Sequence, residues 1–447
     1  MPGHIIANPR RPSISLNITI VGGSIAGWSF PRHIIVTPVK YLIYRLPTDA
    51  QELPQHTLFK RQVIRSLFMR KQMENHGGDL IANMKLDEQF LKDLMADFMF
   101  VQHGDLHSLL CEQAVQEGAR FRYNAHVIDV DPETLSITLK SGERITADIV
   151  IGADGFNSLV RKSVNGQEVP GTRERDITLN FRIPIDLMRQ EDDLRSLTET
   201  TDWAIWLGDQ YMLHGSMVNS GRDFSMTLGY VLPGDAPEYN EEWRDTYPLE
   251  HFNLDMSKFE PRVCKLLNMA RDIIPHIYIS RPHLESYACD RARLPSGQHN
   301  TALVIEDAQT LGSLFSGVQD MEQVPQLLQA YEEIRQSRCV SAQDWEKRKR
   351  IMLTLPQGKE QEQRDLRLRE AMAYEEWDRM DEKTFRAIWG DEMDLFMYDA
   401  SEKVEDWWTK WEALLVRGNP NRRSMVPSLQ VSIYKEEEEE GESRRAK

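Results

Sequence analysis

The sequence is poor in cysteine and in basic charge, and it has no long apolar run. Its four cysteines, Cys111, Cys264, Cys289 and Cys339, are too widely spaced for a disulfide framework or a zinc site. With 54 Lys and Arg against 70 Asp and Glu, the chain lacks the basic surface that nucleic-acid phosphates require. No apolar run reaches the roughly 18 residues needed to span a membrane, and no signal-peptide pattern opens the chain. We therefore expect a cytoplasmic enzyme without a transmembrane segment, a metal site or a nucleic-acid partner.

A glycine-containing segment follows an apolar, β-prone run near the N-terminus. Leu16–Ile20 would form the strand, and residues 21–27 would form the turn. A phosphate-binding turn needs a glycine at its tight bend, little side chain where the pyrophosphate approaches, and a last glycine where the helix packs on the strand. The cofactor-binding candidates are Gly22, Gly23, Ser24, Ala26 and Gly27, with Ser24 in place of the middle glycine. The alternative is a glycine-bearing turn without a ligand.

A second strand-to-turn segment carries Asp154 and Gly155, followed by Ser158 and Arg161. The two segments, in this order, resemble the flavoprotein aromatic hydroxylases, single-component FAD-dependent monooxygenases that include salicylate and p-hydroxybenzoate hydroxylases. The resemblance implies that the first segment holds the ADP part of FAD. It also implies that Asp154 and Gly155 contact the flavin pyrophosphate and influence the use of NAD(P)H. An Asp-Gly turn after a core strand is the plain structural alternative.

Two further segments are similar to that family. His103–Leu110 looks like the helix start that usually reads Arg-Ala-Asp-Leu-His, so His103 stands where the family has an arginine that touches FAD. Residues 297–312 look like the family's Gly-Gln-Gly helix with Ile-Glu-Asp-Ala, which implies that Gly297 lies near the flavin. Backbone N-H groups and the dipole at such a helix start stabilise negative charge. The apolar spacing of this helix equally fits packing in a core.

Several family features are missing. Pro31 lies in the helix expected after the first glycine segment, and because a proline inside a helix costs about 3 kcal/mol, we expect that helix to be short or absent. The strand Lys40–Arg45 ends without the carboxylate that would bind the adenosine ribose. The family's Gly-Asp-x-x-His segment is absent before Gly297, which indicates loss of a strand and turn carrying a ribityl-binding aspartate.

These departures keep a second interpretation open. The chain would then be a degenerate, catalytically impaired paralogue or an incomplete gene product that retains the flavoprotein fold. An ordinary NAD(P)-binding dehydrogenase is disfavoured, because it would leave the Asp-Gly segment and the helix after Gly297 unexplained.

Strand-like runs broken by turns predict a mixed sheet over about residues 170–290. In the family that the chain resembles, this sheet walls the flavin ring and binds the aromatic substrate. Arg182 lies where some relatives place an arginine that stabilises a phenolate. His214 could tune a phenol proton, because histidine titrates near neutral pH. Arg182 and His214 are therefore the catalytic candidates, and a surface arginine and a structural histidine are the alternatives.

The sequence predicts an α/β fold with three parts. A Rossmann-like FAD-binding domain covers residues 14–340 and contains the inserted mixed β-sheet substrate domain. A helical C-terminal extension covers residues 341–420, and an acidic, disordered tail covers residues 421–447. The resemblance implies the cofactors FAD and NAD(P)H. It implies hydroxylation of a phenolic or salicylate-like aromatic substrate with O2, in aromatic degradation or secondary metabolism.

Overall fold

The computed structural model describes most of the chain, with gaps. The described residues are 14, 16–22, 34–39, 64–65, 69–75, 78–86, 99–100, 103–116, 119–122, 125–154, 158–168, 170–200, 202–234, 245–282, 286, 288–289, 292–293, 301–371, 381–383, 386, 390, 394–395 and 397–417. Outside them lie the candidates Gly23, Ser24, Ala26, Gly27, Gly155 and Gly297, the strand Lys40–Arg45 and the tail 421–447. The chain divides into two compact units, residues 1–404 and 405–447. The domain boundaries drawn from the sequence stay predictions.

Among the described residues, the strands form four sheets, of six, three, seven and two strands. In chain order they are β1 Leu16–Val21, β2 Ile34–Val39, β3 Ile64–Arg65, β4 Met69–Asn75, β5 Leu80–Leu86, β6 Met99–Phe100, β7 Phe121–Arg122, β8 Val127–Asp131, β9 Ser136–Leu139, β10 Arg144–Thr146, β11 Ile149–Gly152, β12 Thr172–Pro184, β13 Trp203–Gly208, β14 Tyr211–Val218, β15 Asp223–Val231, β16 Arg271–Ser280, β17 Ala288–Cys289 and β18 Ala292–Arg293.

The helices lie between and after these strands. They are α1 His103–Gln116, α2 Leu159–Asn165, α3 Ile185–Met188, α4 Asp192–Arg195, α5 Pro261–Met269, α6 Thr301–Phe315, α7 Val324–Leu353, α8 Lys359–Ala371 and α9 Ala400–Arg417. Among these described helices, none combines the length and the apolar character that crossing a membrane requires.

The six-stranded sheet has the order β17-β18-β11-β1-β2-β7. At its centre β1 and β11 run parallel, with Ile18 opposite Ile149 and Val21 opposite Gly152. Ile18, Val21 and Ile149 are buried, as expected of central parallel strands that are covered on both faces. The two apolar runs that the sequence placed before the glycine and Asp-Gly segments are therefore adjacent strands of one sheet.

The strand after the first glycine segment runs in the opposite direction to β1. Leu16 pairs with Val39 and Val21 pairs with Ile34, so β1 and β2 are antiparallel. Antiparallel neighbours need no crossover helix, whereas a Rossmann-like start would place a helix and then a parallel strand. The pairing of these two strands therefore differs from that of a Rossmann-like start. Residues 23–33 lie outside the described residues, and the expectation that the first helix is short or absent stays a prediction.

A short strand lies where the sequence indicated that one had been lost. β18 pairs with β11 in parallel, with Val150 opposite Ala292 and Ile151 opposite Arg293. The expected loss of that strand is therefore wrong. This strand is described over two residues, and residues 294–300, which follow it, lie outside the described residues.

The seven-stranded sheet has the order β16-β12-β15-β14-β13-β4-β5. It is mixed, as expected, because β13 pairs in parallel with β4 while its other neighbour, β14, is antiparallel. It also takes in β4 and β5, which precede the predicted range. One face carries alternate apolar side chains of β12 and β15, such as Leu179 and Met226, which pack against α3 and α5 in a large core. The other face carries polar side chains of the same strands.

Candidate cofactor and substrate sites

The carboxyl ends of β1 and β11 meet at one edge of the six-stranded sheet. The backbone N-H of Ala153 donates to the carbonyl of Val21 at 2.6 Å. At the other end of the pair, the N-H of Asn17 donates to the Asp148 carboxylate at 2.6 Å and fixes the register. Parallel strands place their carboxyl ends at a common edge, which is where open α/β sheets bind dinucleotides. The two segments that the sequence singled out are thereby brought together.

Gly22 is the residue that lets the two segments approach so closely. Its φ is +107°, a conformation that L side chains rarely adopt. A Cβ added at this position would lie 2.0 Å from the Ala153 carbonyl oxygen and 2.5 Å from the Asp154 nitrogen. Glycine is therefore required at residue 22 by both its backbone angle and the available space.

The Asp154 carboxylate organises the start of α2. Ser158 Oγ donates to Oδ1 at 2.5 Å, and the N-H groups of Leu159 and Val160 donate to Oδ2 at 2.7 and 3.3 Å. Burial raises the pKa of Asp154, although these hydrogen bonds act in the opposite direction. The N-H of Arg161 in turn donates to Ser158 Oγ at 2.9 Å. The first three N-H groups of α2 are thus bound within the turn itself.

The described part of this edge offers a dinucleotide the carboxyl ends of two adjacent parallel strands. At Gly22 the space that a Cβ would take is filled by the Ala153 carbonyl and the Asp154 nitrogen, so this glycine serves the approach of the two strands. The start of α2 is different, because its N-H groups are already bonded to Asp154 and Ser158. Asp154 therefore holds the start of α2 and leaves no N-H group of Leu159 or Val160 for a phosphate. His103 is the first residue of α1, so a helix does begin at the predicted place.

Glu306 and Asp307, in the segment 297–312 that resembles the family, hold α6 against α7. Arg335 Nε donates to Asp307 Oδ1 at 2.7 Å, and Arg335 Nη1 donates to Glu306 Oε2 at 2.7 Å. Arg338 Nη2 donates to Glu306 Oε1 at 2.8 Å. Sequence reasoning missed both arginines. Buried carboxylates need charged partners. The i,i+3 spacing of the two arginines, which places two cations on one helix face, was the sequence signal that could have identified them as partners of Glu306 and Asp307.

Leu395 and Tyr398, from a later segment of the chain, contact the two arginines that bind Glu306 and Asp307. The Tyr398 ring lies 4.4 Å from the Arg338 guanidinium carbon and 5.4 Å from that of Arg335. Arg338 Nη2 also donates to the carbonyl of Leu395 at 2.7 Å. The residues around Tyr398 are therefore tied to α6, the helix that follows Gly297, through α7.

Arg182 and His214 both lie on the polar face of the seven-stranded sheet, with β15 between their strands. Arg182 is exposed, and its guanidinium has no hydrogen-bond or ion-pair partner in the part of the chain that the structure describes. His214 is half-buried, and its Nδ1 accepts a hydrogen bond from Trp203 Nε1 at 3.2 Å. The structure thus gathers the two candidates on one face without bringing them into contact, and it adds Trp203, which the sequence reasoning did not single out.

Comparison with known proteins agrees with this architecture. A family model described as FAD binding domain matches residues 60–346, a range that begins after the first glycine segment. The FAD-dependent monooxygenase atnJ of Arthrinium sp is 27% identical over 278 residues, which cover 59% of this chain and 65% of that protein. The 3-hydroxybenzoate 6-hydroxylase of Klebsiella oxytoca is 23% identical over 258 residues, which cover 55% of this chain and 62% of that protein.

The chain thus spans less than two thirds of the length of these curated relatives. Among solved structures, a salicylate hydroxylase substrate complex superposes with a TM-score of 0.60 at 15% identity, covering 78% of this chain and 85% of that one. This likeness confirms the α/β fold class that the sequence predicted.

Proposed function

The chain belongs to the FAD binding domain family, and we propose that it is a monooxygenase that uses FAD, NAD(P)H and O2 to hydroxylate an aromatic substrate. The observation that carries the proposal is the meeting of Gly22 with Ala153 and Asp154 at the carboxyl ends of two parallel strands. The family membership confirms the resemblance that the sequence motifs predicted. Aromatic substrates are supported by the name of a curated relative, the 3-hydroxybenzoate 6-hydroxylase.

FAD, when bound, would supply the redox chemistry and the activation of oxygen. In this proposal the chain contributes the close approach of β1 and β11 at Gly22 and the start of α2 that Asp154 holds, with α1 and α6 as further helices at the cofactor. The N-H groups that reach the pyrophosphate would come from the turn after β1, because those of α2 are bonded within their own turn. Asp154 would then act on the cofactor by holding that turn in shape.

The polar face of the seven-stranded sheet is the proposed substrate surface. Arg182 supplies a permanent positive charge on that face, which would favour an aromatic substrate with a negatively charged or electron-rich oxygen. His214 supplies an imidazole whose orientation is set by Trp203. The protein's own part in hydroxylation would be to orient the ring and to keep water away from the reacting atoms. A cytoplasmic location stays a prediction.

The degenerate paralogue is the second candidate, and the bonded N-H groups at the start of α2 favour it. Two measurements on the purified full chain separate the two. Excess FAD should raise the melting temperature, because any ligand that is selective for the native state does so; riboflavin, which lacks the ADP part, should not. With NAD(P)H and hydroxybenzoates under ¹⁸O2, a product that gains one labelled oxygen would establish the activity.

The absence of any shift at FAD concentrations far above those of ordinary flavoproteins would contradict the proposal. That outcome would leave the degenerate paralogue as the better account. A shift without a labelled product would support FAD binding and leave the tested compounds excluded as substrates.

A further inference from the structure

A row of polar side chains crosses the central strands of the seven-stranded sheet. Asn180 of β12 lies opposite Thr227 of β15, and Thr227 lies opposite His214 of β14. All three are half-buried, while the other face of the same strands packs the apolar core. Polar groups that are shielded from water need hydrogen-bond partners. The donors and acceptors that are used within the row are not available to a ligand, so the bonds within the row determine which ligand atoms can bind to it.

The His214 end of the row is fixed by Trp203. An indole N-H can only donate a hydrogen bond, and Trp203 Nε1 lies 3.2 Å from Nδ1 of His214, with the two rings at 87° to each other. His214 Nδ1 must therefore carry its lone pair toward Trp203. In the neutral imidazole the proton then sits on Nε2. His214 Nδ1 is committed to Trp203 and does not serve as a base toward a ligand.

The Asn180 end of the row is fixed by Thr227. Thr227 Oγ1 donates to Asn180 Oδ1 at 2.9 Å, which orients the amide so that its carbonyl oxygen faces β15. The Nδ2 group, with two N-H donors, is then the half of the amide that remains for a ligand, and no partner for it occurs among the described residues. Arg182 follows two residues later on the same face, so the donor lies beside a positive charge.

We propose that Asn180 Nδ2, beside Arg182, forms a donor subsite for an acceptor oxygen on the aromatic substrate. Trp203, His214 and Thr227 are positioning residues that set the direction of the hydrogen bonds in the row. The substrate class that fits is an aromatic compound whose ring oxygen is already an acceptor, a phenolate or a ring carbonyl. A neutral phenol that must give up its proton to the row does not fit. This inference rests on the proposed function for the aromatic nature of the ligand.

The first test compares two probes of the same size and ring. 4-Nitrophenolate presents an acceptor oxygen, and 4-nitroaniline presents a donor amine at the same place. Equilibrium dialysis with the purified full chain, at a pH where 4-nitrophenol is deprotonated, should show tighter binding of 4-nitrophenolate by about tenfold or more, since a hydrogen bond to a charged group has that strength. Equal affinities, tighter binding of 4-nitroaniline or no binding of either probe would overturn the inference.

Variants locate the preference in the row. Asn180→Asp replaces the Nδ2 donor by an acceptor of the same shape and should abolish the preference for 4-nitrophenolate. Asn253→Asp makes the same chemical change at an exposed residue after the short helix 249–252 and should leave the preference intact. Thr227→Val frees the amide to rotate and should weaken the preference in part. An unchanged ratio in Asn180→Asp would contradict the assignment.

The second test reads the histidine directly. In protein labelled with ¹⁵N-histidine, the His214 signals, identified by their loss in His214→Gln, should report the Nε2-H form. Trp203→Phe keeps the aromatic ring but removes the N-H, and it should shift the Nδ1 resonance and mix the two forms. An Nδ1-H form in the wild type would overturn the role of Trp203. Neither test uses flavin, so loss of FAD binding with the probe preference retained would contradict the proposed function alone.

Discussion

The guanidinium Nε of Arg335 lies 2.7 Å from Oδ1 of Asp307, and both side chains are only 1% exposed. Arg335 also donates to the carbonyl of Leu303 at 3.2 Å, in the first turn of α6. Taking two charges out of water costs about as much as their attraction returns. The pair is therefore better explained as fixing α6 against α7 than as a source of net stability. A residue more than thirty positions after Gly297 thus helps to place the helix that follows Gly297.

Arg335→Met should destabilise the fold strongly, because it leaves the Asp307 carboxylate buried without a cation. Breaking a buried pair from one side costs about 3 to 5 kcal/mol, which urea unfolding monitored by circular dichroism would measure. Arg386→Met is the matched control, since the Arg386 and Glu382 side chains are 76% and 80% exposed and such pairs contribute about 1 kcal/mol or less.

The double variant Arg335→Met with Asp307→Leu removes both charges. It should be more stable than Arg335→Met alone, because no unpaired carboxylate remains in the core. Equal free energies of unfolding for Arg335→Met and Arg386→Met would mean that the pair is not buried in solution.

Gly22→Ala tests the close approach of β1 and β11. The new Cβ would lie 2.0 Å from the Ala153 carbonyl oxygen, and the φ of +107° would be strained as well, so we expect a loss of about 2 to 5 kcal/mol. Gly142→Ala is the control, because its φ is +86° but nothing lies within 4 Å of the added Cβ; it should cost about 1 kcal/mol. Urea midpoints of the two variants give the comparison, and similar losses would argue against the contact.

The sequence allowed the parts of the site that depend on local chemistry to be predicted. Gly22 and Asp154 each follow a buried strand, and turn residues after strands have recognisable preferences. The presence of a mixed sheet in this part of the chain was also predicted, because β12 and β15 alternate apolar and polar residues. These signals lie within a few residues of one another, so no knowledge of distant contacts is needed.

The features that the sequence did not reveal depend on distant contacts. The direction of β2 is set by its pairing with β1 and β7, and its own residues carry no signal for it. β18 is formed by two described residues that pair with β11. Two residues are too few to show the alternation of apolar and polar side chains by which a strand is recognised in a sequence. Arg335 and Asp307 are 28 residues apart, and their partnership follows from how α6 packs on α7.

Asp154→Ala should weaken FAD binding through the turn before α2. The substitution removes the acceptor for Ser158, Leu159 and Val160, and losing a helix cap costs about 1 to 2 kcal/mol. We expect the far-ultraviolet circular dichroism to stay unchanged while FAD retention falls. Ser158→Ala, which removes the cap on Arg161, should have a similar but smaller effect on stability. If Asp154→Ala loses folding and FAD together, the carboxylate belongs to a core turn and has no separate bearing on the cofactor.

Stability should fall on mild acidification because of His276. Burial lowers the pKa of His276 in β16 to about 4, whereas an unfolded histidine titrates near 6.5. Between these two values the unfolded chain binds a proton that the folded chain does not, so the free energy of unfolding decreases as the pH falls. The contribution of His276 is complete above about pH 6.5 and is lost by about pH 4, and it amounts to at most about 3 kcal/mol.

His276→Gln removes the titrating group and keeps a polar side chain on the strand. Other groups also titrate in this range, and burial raises the pKa of Asp154 and Asp176, so the informative quantity is the difference between wild type and variant. Urea unfolding at pH 7 and at pH 5 should show a smaller loss of stability in His276→Gln than in the wild type. Equal losses would mean that His276 is protonated as readily in the folded chain as in the unfolded one, and that the imidazole is solvated where it lies on β16.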